Sequence, residues 1–455
     1  MLLSNCALGA AAALVCWLLS RNRKGKFKQL PGPTGLPLIE WDGTAASDIL
    51  KEYNHRFREF RRLFHQFIGP RACATPDIQE VQEWENLRLL GKLLDSPQKF
   101  ADHARDSTSS TILLLSYGYP CHTGDPLQLV KIAEDAMLGF AQASEPGKWW
   151  VDSFPALKWI PTWFPGASFR RTASAMREDL NKLYDIPYGY GREEMLKGST
   201  RPSFVSVYLD EKKGEPNSDE EDLVKAAAAS LYSGGAETNP SAITSLFLAM
   251  PLYPAVQERA QAELDEYLSR SQSTLPVFAD REMLPYVTAI MLEVWRWNPS
   301  VPLGLPHVVT QDDEYRGYFI QKGTVVWANI WSILHNESIF PDPFAFKPER
   351  YLDSKGKFRT GRGEPSEAVA AAFGFGRRLC PGLHLAENSI WLFIATALTV
   401  FNIQEEPGSS PKVEYDGFIS HPRPFRCKIE PRSNEIGSYI RNRLEALAHW
   451  NFCWE

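Results

Sequence analysis

The sequence predicts a mainly α-helical protein with small β-sheets, preceded by a single N-terminal transmembrane helix. Three observations carry that prediction. Leu2 to Leu19 is almost wholly apolar and is followed by the basic cluster Arg21-Asn22-Arg23-Lys24-Gly25-Lys26. Through the body of the chain, apolar residues recur at helical spacing in long stretches, whereas strand signals are confined to short segments such as 317–326. A long apolar helical pattern begins at His384, directly after a glycine-rich loop that ends in Cys380-Pro381-Gly382.

With 455 residues, 44% of them hydrophobic, the chain can bury a large core. A net charge of −6 and a pI near 5.9 argue against a nucleic-acid partner, which selects for a basic excess. The seven cysteines are scattered and odd in number, as expected of reduced thiols facing the cytosol.

Taken in order, residues 1–20 read as a membrane anchor. The apolar run has about the length of a single span, and the charges lie after it rather than before it, unlike a cleaved signal peptide. The positive-inside rule then puts the bulk of the protein on the cytosolic side. Residues 21–40 form a basic, proline-rich linker that includes Leu30-Pro31-Gly32-Pro33. Residues 41–455 form the globule.

Arg56 to Gln66 carries Arg58, Arg61 and Arg62, which on a helix make a basic face. Ile78 to Leu94 and Phe100 to Leu115 are helical patterns. Lys148 to Phe169 interleaves Trp149, Trp150, Phe154, Trp159, Trp163 and Phe164 with prolines, which excludes a regular helix. Core packing is one reading of these aromatics; contact with a membrane interface is the sharper one.

A long helix begins at Asn217-Ser218-Asp219-Glu220-Glu221, with Ser218 and Glu221 expected to form a capping box. It meets Ser233-Gly234-Gly235-Ala236-Glu237-Thr238-Asn239-Pro240. Pro240 cannot donate to the Ala236 carbonyl and clashes with it, so the helix is expected to open there. An acid and an alcohol beside such a kink make it more than a tolerated proline. Pro285 to Asn298 is the next helix and holds Glu293 and Arg296; the same Glu-x-x-Arg spacing at Glu59/Arg62 and Glu85/Arg88 makes it uninformative alone. Phe346-Lys347-Pro348-Glu349-Arg350-Tyr351 follows, after a hairpin signal over Gly317–Val326.

The stretch Phe373-Gly374-Phe375-Gly376-Arg377-Arg378-Leu379-Cys380-Pro381-Gly382 organises the rest. A thiolate at Cys380 would gain from the helix N-terminus and from free backbone N–H groups. Gly374, Gly376 and Gly382 are expected to tolerate φ > 0 and let a flat partner approach. A zinc site lacks ligands, since only His384 is near and there is no CxxC pair; a dinucleotide loop lacks its third glycine. A buried structural cysteine is the bland alternative. The full spacing Phe-x-x-Gly-x-Arg-x-Cys-x-Gly resembles the heme-binding loop of the cytochrome P-450 superfamily, and within it the fungal microsomal group of the O-methylsterigmatocystin oxidoreductase type.

That resemblance implies a cytochrome P-450 fold, heme b as cofactor, and Cys380 as the thiolate ligand of its iron. It implies heme contacts from Phe373, Gly376, Arg378 and Gly382 in the loop, from Arg61, and from His307, which reads equally well as a lone surface histidine. It implies that Glu237 and Thr238 are the acid–alcohol pair of oxygen activation, with Asn239-Pro240 departing from the family pattern. It implies a buried network of Glu293, Arg296 and Arg350 behind the heme, with Tyr351 where the family has Phe. Gly417 to Arg423 is similar to the hairpin that dips into the substrate pocket. The family's N-terminal strands and the region that closes over the substrate are expected to be largely missing here, because Glu40 leads almost directly to Trp41 and the Arg56 helix.

The activity so implied is insertion of one oxygen atom of O2 into a small lipophilic organic substrate. Electrons would come from an NADPH-cytochrome reductase on the same endoplasmic-reticulum membrane, with the catalytic domain cytosolic and no nucleic acid involved. Two other classes stay open at this point: a truncated heme-binding member with little or no turnover, and a cofactor-free, membrane-anchored interaction protein.

Overall fold

A computed structural model describes residues 28–29, 58–121, 125–144, 148–198, 202–212, 216–359, 361 and 364–448. The expected anchor, the proline-rich linker apart from Lys28–Gln29, which forms a short strand, and the expected short-cut after Glu40 lie outside them. The described chain divides into two units. One, built on Gly304–Ala328, is all β; the other, covering the rest from residue 58 onward, is mainly helical.

The longer helices are α1 (58–68), α2 (Pro76–Asp95), α3 (Phe100–Tyr117), α4 (Leu129–Ser144), α5 (Ser168–Leu196), α6 (Phe204–Glu211), α7 (Ser218–Gly235), α8 (Thr238–Leu252), α9 (Pro254–Ser271), α10 (Pro285–Trp297), α11 (Leu383–Val400) and α12 (Asn434–Ala448). Prolines at the first positions of α2, α9 and α10 suit helix starts, where an N–H would have no partner. The cap of α7 falls one residue earlier than expected. Asn217, not Ser218, accepts from the Glu220 N–H, and Glu220 bonds back to the Asn217 N–H. Both registers offer a capping residue followed by Glu at the third position, so the sequence is degenerate there.

The core forms around α11. Leu385 and the residues from Ile390 to Val400 are buried, so this helix, the one among the described residues with the length and apolarity of a membrane span, is a packed interior helix. Phe247 of α8 stands between Phe100 and Phe393, with ring centroids 4.9 and 5.8 Å away. Trp391 Nε1 donates to Thr288 Oγ1 (3.1 Å), and the buried Gln82 Nε2 donates to the Leu385 carbonyl (2.9 Å), fastening α10 and α2 to α11. Such buried polar contacts are retained because each unmatched donor would cost about 1–3 kcal/mol.

The strands are short. In the β unit, β1 (Lys28–Gln29) runs parallel to β4 (Tyr318–Ile320), which pairs antiparallel with β3 (Asp313–Tyr315); β2 (His307–Val308) pairs with β5 (Val325–Val326). The hairpin expected over 317–326 is therefore shifted. It turns at Arg316-Gly317, both at positive φ (52° and 80°), and its arms are 313–315 and 318–320. Two successive left-handed residues match the right-handed twist of a tight hairpin. In the helical unit, β6 (Phe401–Glu405) pairs with β9 (Cys427–Pro431), and β7 (Tyr415–Asp416) with β8 (His421–Pro422) around the turn 417–420. The stretch 148–167 is irregular as expected: one short helix, one 3-10 turn, and Trp150, Trp159 and Trp163 between 75% and 79% exposed.

Candidate active site

Cys380 ends a loop whose shape follows from its glycines. Gly374 and Gly376 are at φ 82° and 56°, a region L side chains avoid. Gly382 differs from expectation: its φ is −87°, and it stands as the residue before α11. It serves the loop through its N–H. The Gly382 and Leu383 N–H groups and the Arg61 guanidinium favour the thiolate of Cys380, but burial outweighs them and pushes the thiol above its ordinary value. A half-buried thiol so placed ionises when a cation supplies the missing charge.

The loop is braced from three directions. The Cys380 N–H donates to the Phe373 carbonyl (2.8 Å). The Phe373 ring meets Trp295 of α10 edge to face, 4.8 Å between centroids. Arg61 Nη1 of α1 donates to the Leu379 carbonyl, a contact across 318 residues. Arg378 is exposed at the end of a 3-10 turn, Gly376–Arg378. His307 lies in the β unit, exposed on β2 opposite Val326.

The helix opening is present. α7 ends at Gly235, Ala236 and Glu237 turn, and α8 starts at Thr238 with Pro240 in its first turn. Thr238 Oγ1 donates to the Gly234 carbonyl (3.0 Å), one of the groups the break frees. The two glycines have separate reasons. A Cβ on Gly235 would come within 2.8 Å of Ile112 Cδ1, so packing against α3 requires glycine. No atom lies within 4 Å of a Cβ on Gly234, which is exposed. Glu237 Oε2 lies 3.2 Å from His421 Nε2 and 4.0 Å from Arg105 Nε.

The charge network is complete. Glu293 and Arg296 are fully buried and bond twice, at 2.7 and 2.9 Å. Arg350 Nε reaches Glu293 at 3.2 Å, and the Lys347 N–H donates to it at 2.8 Å. Arg296 also donates to the carbonyls of Leu334, Pro343 and Ala345. Tyr351, the departure from the family's Phe, donates its hydroxyl to Glu293 Oε2 (2.9 Å). The Glu59/Arg62 and Glu85/Arg88 spacings do not join it, although Glu85 is itself buried and paired with Arg88 and Ser110.

Sequence reasoning missed the polar residues that tie these parts together. Asn298 Nδ2 donates to Ser245 Oγ of α8 (2.8 Å), and Ser300 Oγ donates to the Thr238 carbonyl (3.1 Å). The eight residues 293–300 thus touch the charge network, the Cys380 loop and the helix opening. The only hint was the dense run of polar and aromatic types Glu-Val-Trp-Arg-Trp-Asn-Pro-Ser.

These residues fit a heme. One thiol with two backbone N–H donors and a nearby arginine stands at the start of a helix, and a bare backbone edge is exposed at Gly234. Among the described residues no three His, Cys, Asp or Glu side chains cluster to chelate an ion. A family model described as cytochrome P450 matches residues 51–429. Cytochrome P450 monooxygenase 208 of Postia placenta is 42% identical over 401 residues, covering 87% of this chain and 75% of the relative. Cytochrome P450 monooxygenase claR of Ampulloclitocybe clavipes is 40% identical over 399 residues, covering 86% and 72%. Tryptamine 4-monooxygenase of Psilocybe cyanescens is 37% identical over 395 residues, covering 84% and 76%.

Proposed function

This chain belongs to the cytochrome P450 family, and from that premise we propose that Cys380 is its heme ligand and that electrons from NADPH, passed by a flavoprotein reductase, drive oxygenation of a small lipophilic organic compound. Family membership itself carries the coarser statement: the protein is an oxygen-incorporating oxidoreductase that uses O2, a reductase partner and heme iron ligated by a cysteine thiolate. The observation that supports Cys380 is its pair of backbone donors, Gly382 and Leu383, beside Arg61.

When bound, the heme supplies the iron at which dioxygen is split and one atom passed to substrate. The chain's own residues hold and feed it. Arg61 and Arg378 provide cations for the propionates. Phe373, Gly376 and Gly382 shape the loop around the sulfur. Glu237 and Thr238 pass protons from solvent to the oxygen side, which is positioned acid–base chemistry. Glu293, Arg296 and Arg350 hold the segment behind the loop. Residues 41–455 form the catalytic domain, with a shortened N-terminal sheet and pocket roof; the greater length of the relatives supports that reading.

A membrane site on the endoplasmic reticulum is supported by the apolar stretch 2–19 and by the exposed Trp150, Trp159 and Trp163, whose rings suit the headgroup layer. The test is spectroscopic and catalytic. Reduced, carbon-monoxide-bound protein should show a strongly red-shifted thiolate band that Cys380→Ala abolishes, and NADPH with reductase should oxidise members of a lipophilic panel that includes tryptamine. Retention of the band in Cys380→Ala would overturn the ligand. A thiolate band without turnover on any compound would favour the truncated, inert form, which the relatives' greater length also allows.

A further inference from the structure

Glu237 lies between two basic partners on different elements. His421 Nε2, on β8, is 3.2 Å from Oε2; Arg105 Nε, on α3, is 4.0 Å from the same oxygen. Two more titratable groups feel the same charge: Glu134 of α4, which Arg105 also neutralises, and Tyr232 one turn back on α7. Arg105 is therefore shared among three acids, Glu237, Glu134 and Asp102 (3.8 Å), which leaves His421 as the nearer partner of Glu237.

His421 is close to the carboxylate but off its hydrogen-bonding axis. Its Nε2 is buried and has no hydrogen-bond partner among the described residues. A buried polar atom without a partner is uncommon and calls for a role. The ring torsion of histidine is soft, so rotation can bring Nε2 into line.

The approach is not that of a loose hairpin. Ser420, next to His421, is buried and bonds through all its polar atoms: its N–H donates to the Ser300 carbonyl (2.8 Å), and its hydroxyl donates to Asn298 Oδ1 (2.6 Å). Its carbonyl accepts from Ser241 Oγ of α8 (2.5 Å) and from Asn298 Nδ2 (3.3 Å). Ser300 in turn donates to Thr238. The hairpin, the end of α10 and the start of α8 thus share one buried network, and a network of this kind is rigid when fully satisfied.

We propose that His421 is a positioning residue for Glu237: anchored by the Ser420–Asn298 network, its imidazole holds the carboxylate in the orientation from which protons pass to Thr238. The inference rests on the proposed acid–alcohol role of Glu237 and Thr238. It adds a third member from the hairpin and makes hairpin position a control on proton supply.

The test uses heme-loaded full-length protein, reduced by NADPH through a flavoprotein reductase with no organic substrate added. Dioxygen then leaves as hydrogen peroxide, taking two electrons and two protons, or as water, taking four of each. The water share, read from NADPH, oxygen and peroxide balances, reports proton supply. His421→Phe should lower that share about two- to tenfold, the factor one hydrogen bond commonly carries. His421→Gln, which keeps an N–H donor, should restore most of it. Thermal midpoints of His421→Phe, Glu237→Gln and the double variant should be non-additive, as for groups in contact. An unchanged water share in His421→Phe with a lowered one in Glu237→Gln overturns the inference and leaves the acid–alcohol reading standing. Unchanged shares in both Glu237→Gln and Thr238→Ala overturn that reading instead. Additive midpoints overturn the pair in either case. Where His421→Phe does not take up heme, His421→Leu gives the same comparison.

Discussion

Trp295 stands at 89° to Phe373 with ring centroids 4.8 Å apart, and the Phe373 carbonyl accepts the N–H of Cys380. One residue beyond Trp295, Arg296 joins the buried network of Glu293, Arg350 and Tyr351. The cysteine loop is therefore carried on the same helical turn as the charges behind it.

That support predicts the effect of removing the ring. Trp295 is 5% exposed. Trp295→Ala should cost about 3–5 kcal/mol, the usual range for a buried aromatic, and should release heme more readily. Trp295→Phe should keep much of the edge contact. Chemical denaturation with heme content measured alongside checks both; wild-type stability in the Ala variant would refute the bracing role.

Glu293 carries two arginines and a tyrosine hydroxyl with no exposure to water. Glu293→Gln leaves buried guanidinium charge unbalanced and should cost about 3–5 kcal/mol. Tyr351→Phe restores the residue type usual in the family and loses one bond to a charged group, about 1.5–3 kcal/mol. Denaturant midpoints should rank the two in that order.

Asn298 and Ser420 share the polar cluster that fixes the hairpin to α8 and α10. Either one changed to Ala strands buried partners, at about 1–3 kcal/mol. Because they bond to each other, the double variant should cost less than the sum. A strictly additive result would mean that the cluster does not act as one unit.

His335 stacks on Trp331, 4.3 Å between ring centroids, and its Nδ1 lies 2.8 Å from the Trp331 carbonyl. Burial pushes it down to about 4 from an ordinary 6.5, with the Arg296 charge acting in the same direction. The unfolded chain then binds the proton first as pH falls. The penalty is absent above pH 6.5 and grows between 6.5 and 4. Melting temperature should drop over that window, and His335→Phe should reduce the slope. An unchanged slope would remove His335 from the acid response.

How much of this was legible depends on the range of the interaction. The helices over 76–95, 100–117 and 285–297 follow from apolar spacing, and the break at Ala236-Glu237 follows from Pro240, because each is set within one or two turns of chain. The helix start at Asn217 was not legible to one residue, since Asn217/Glu220 and Ser218/Glu221 carry the same capping pattern. The hairpin at Arg316-Gly317 was misplaced because arms of three residues carry almost no periodic signal.

The order of residues along the chain sets the chemistry on offer: one cysteine on a glycine-rich loop ahead of a helix, an acid and an alcohol at a proline-opened turn, and a Glu-x-x-Arg segment with an arginine partner. Those are local patterns, because a loop conformation or a helix break is decided by neighbours in the chain. Tertiary structure alone decided which distant groups meet. It set Arg61 against Leu379, Tyr351 against Glu293, Trp295 against Phe373 and His421 against Glu237. Contacts of that kind depend on how helices cross and on which buried polar atoms must be satisfied, and neither leaves a period in the sequence.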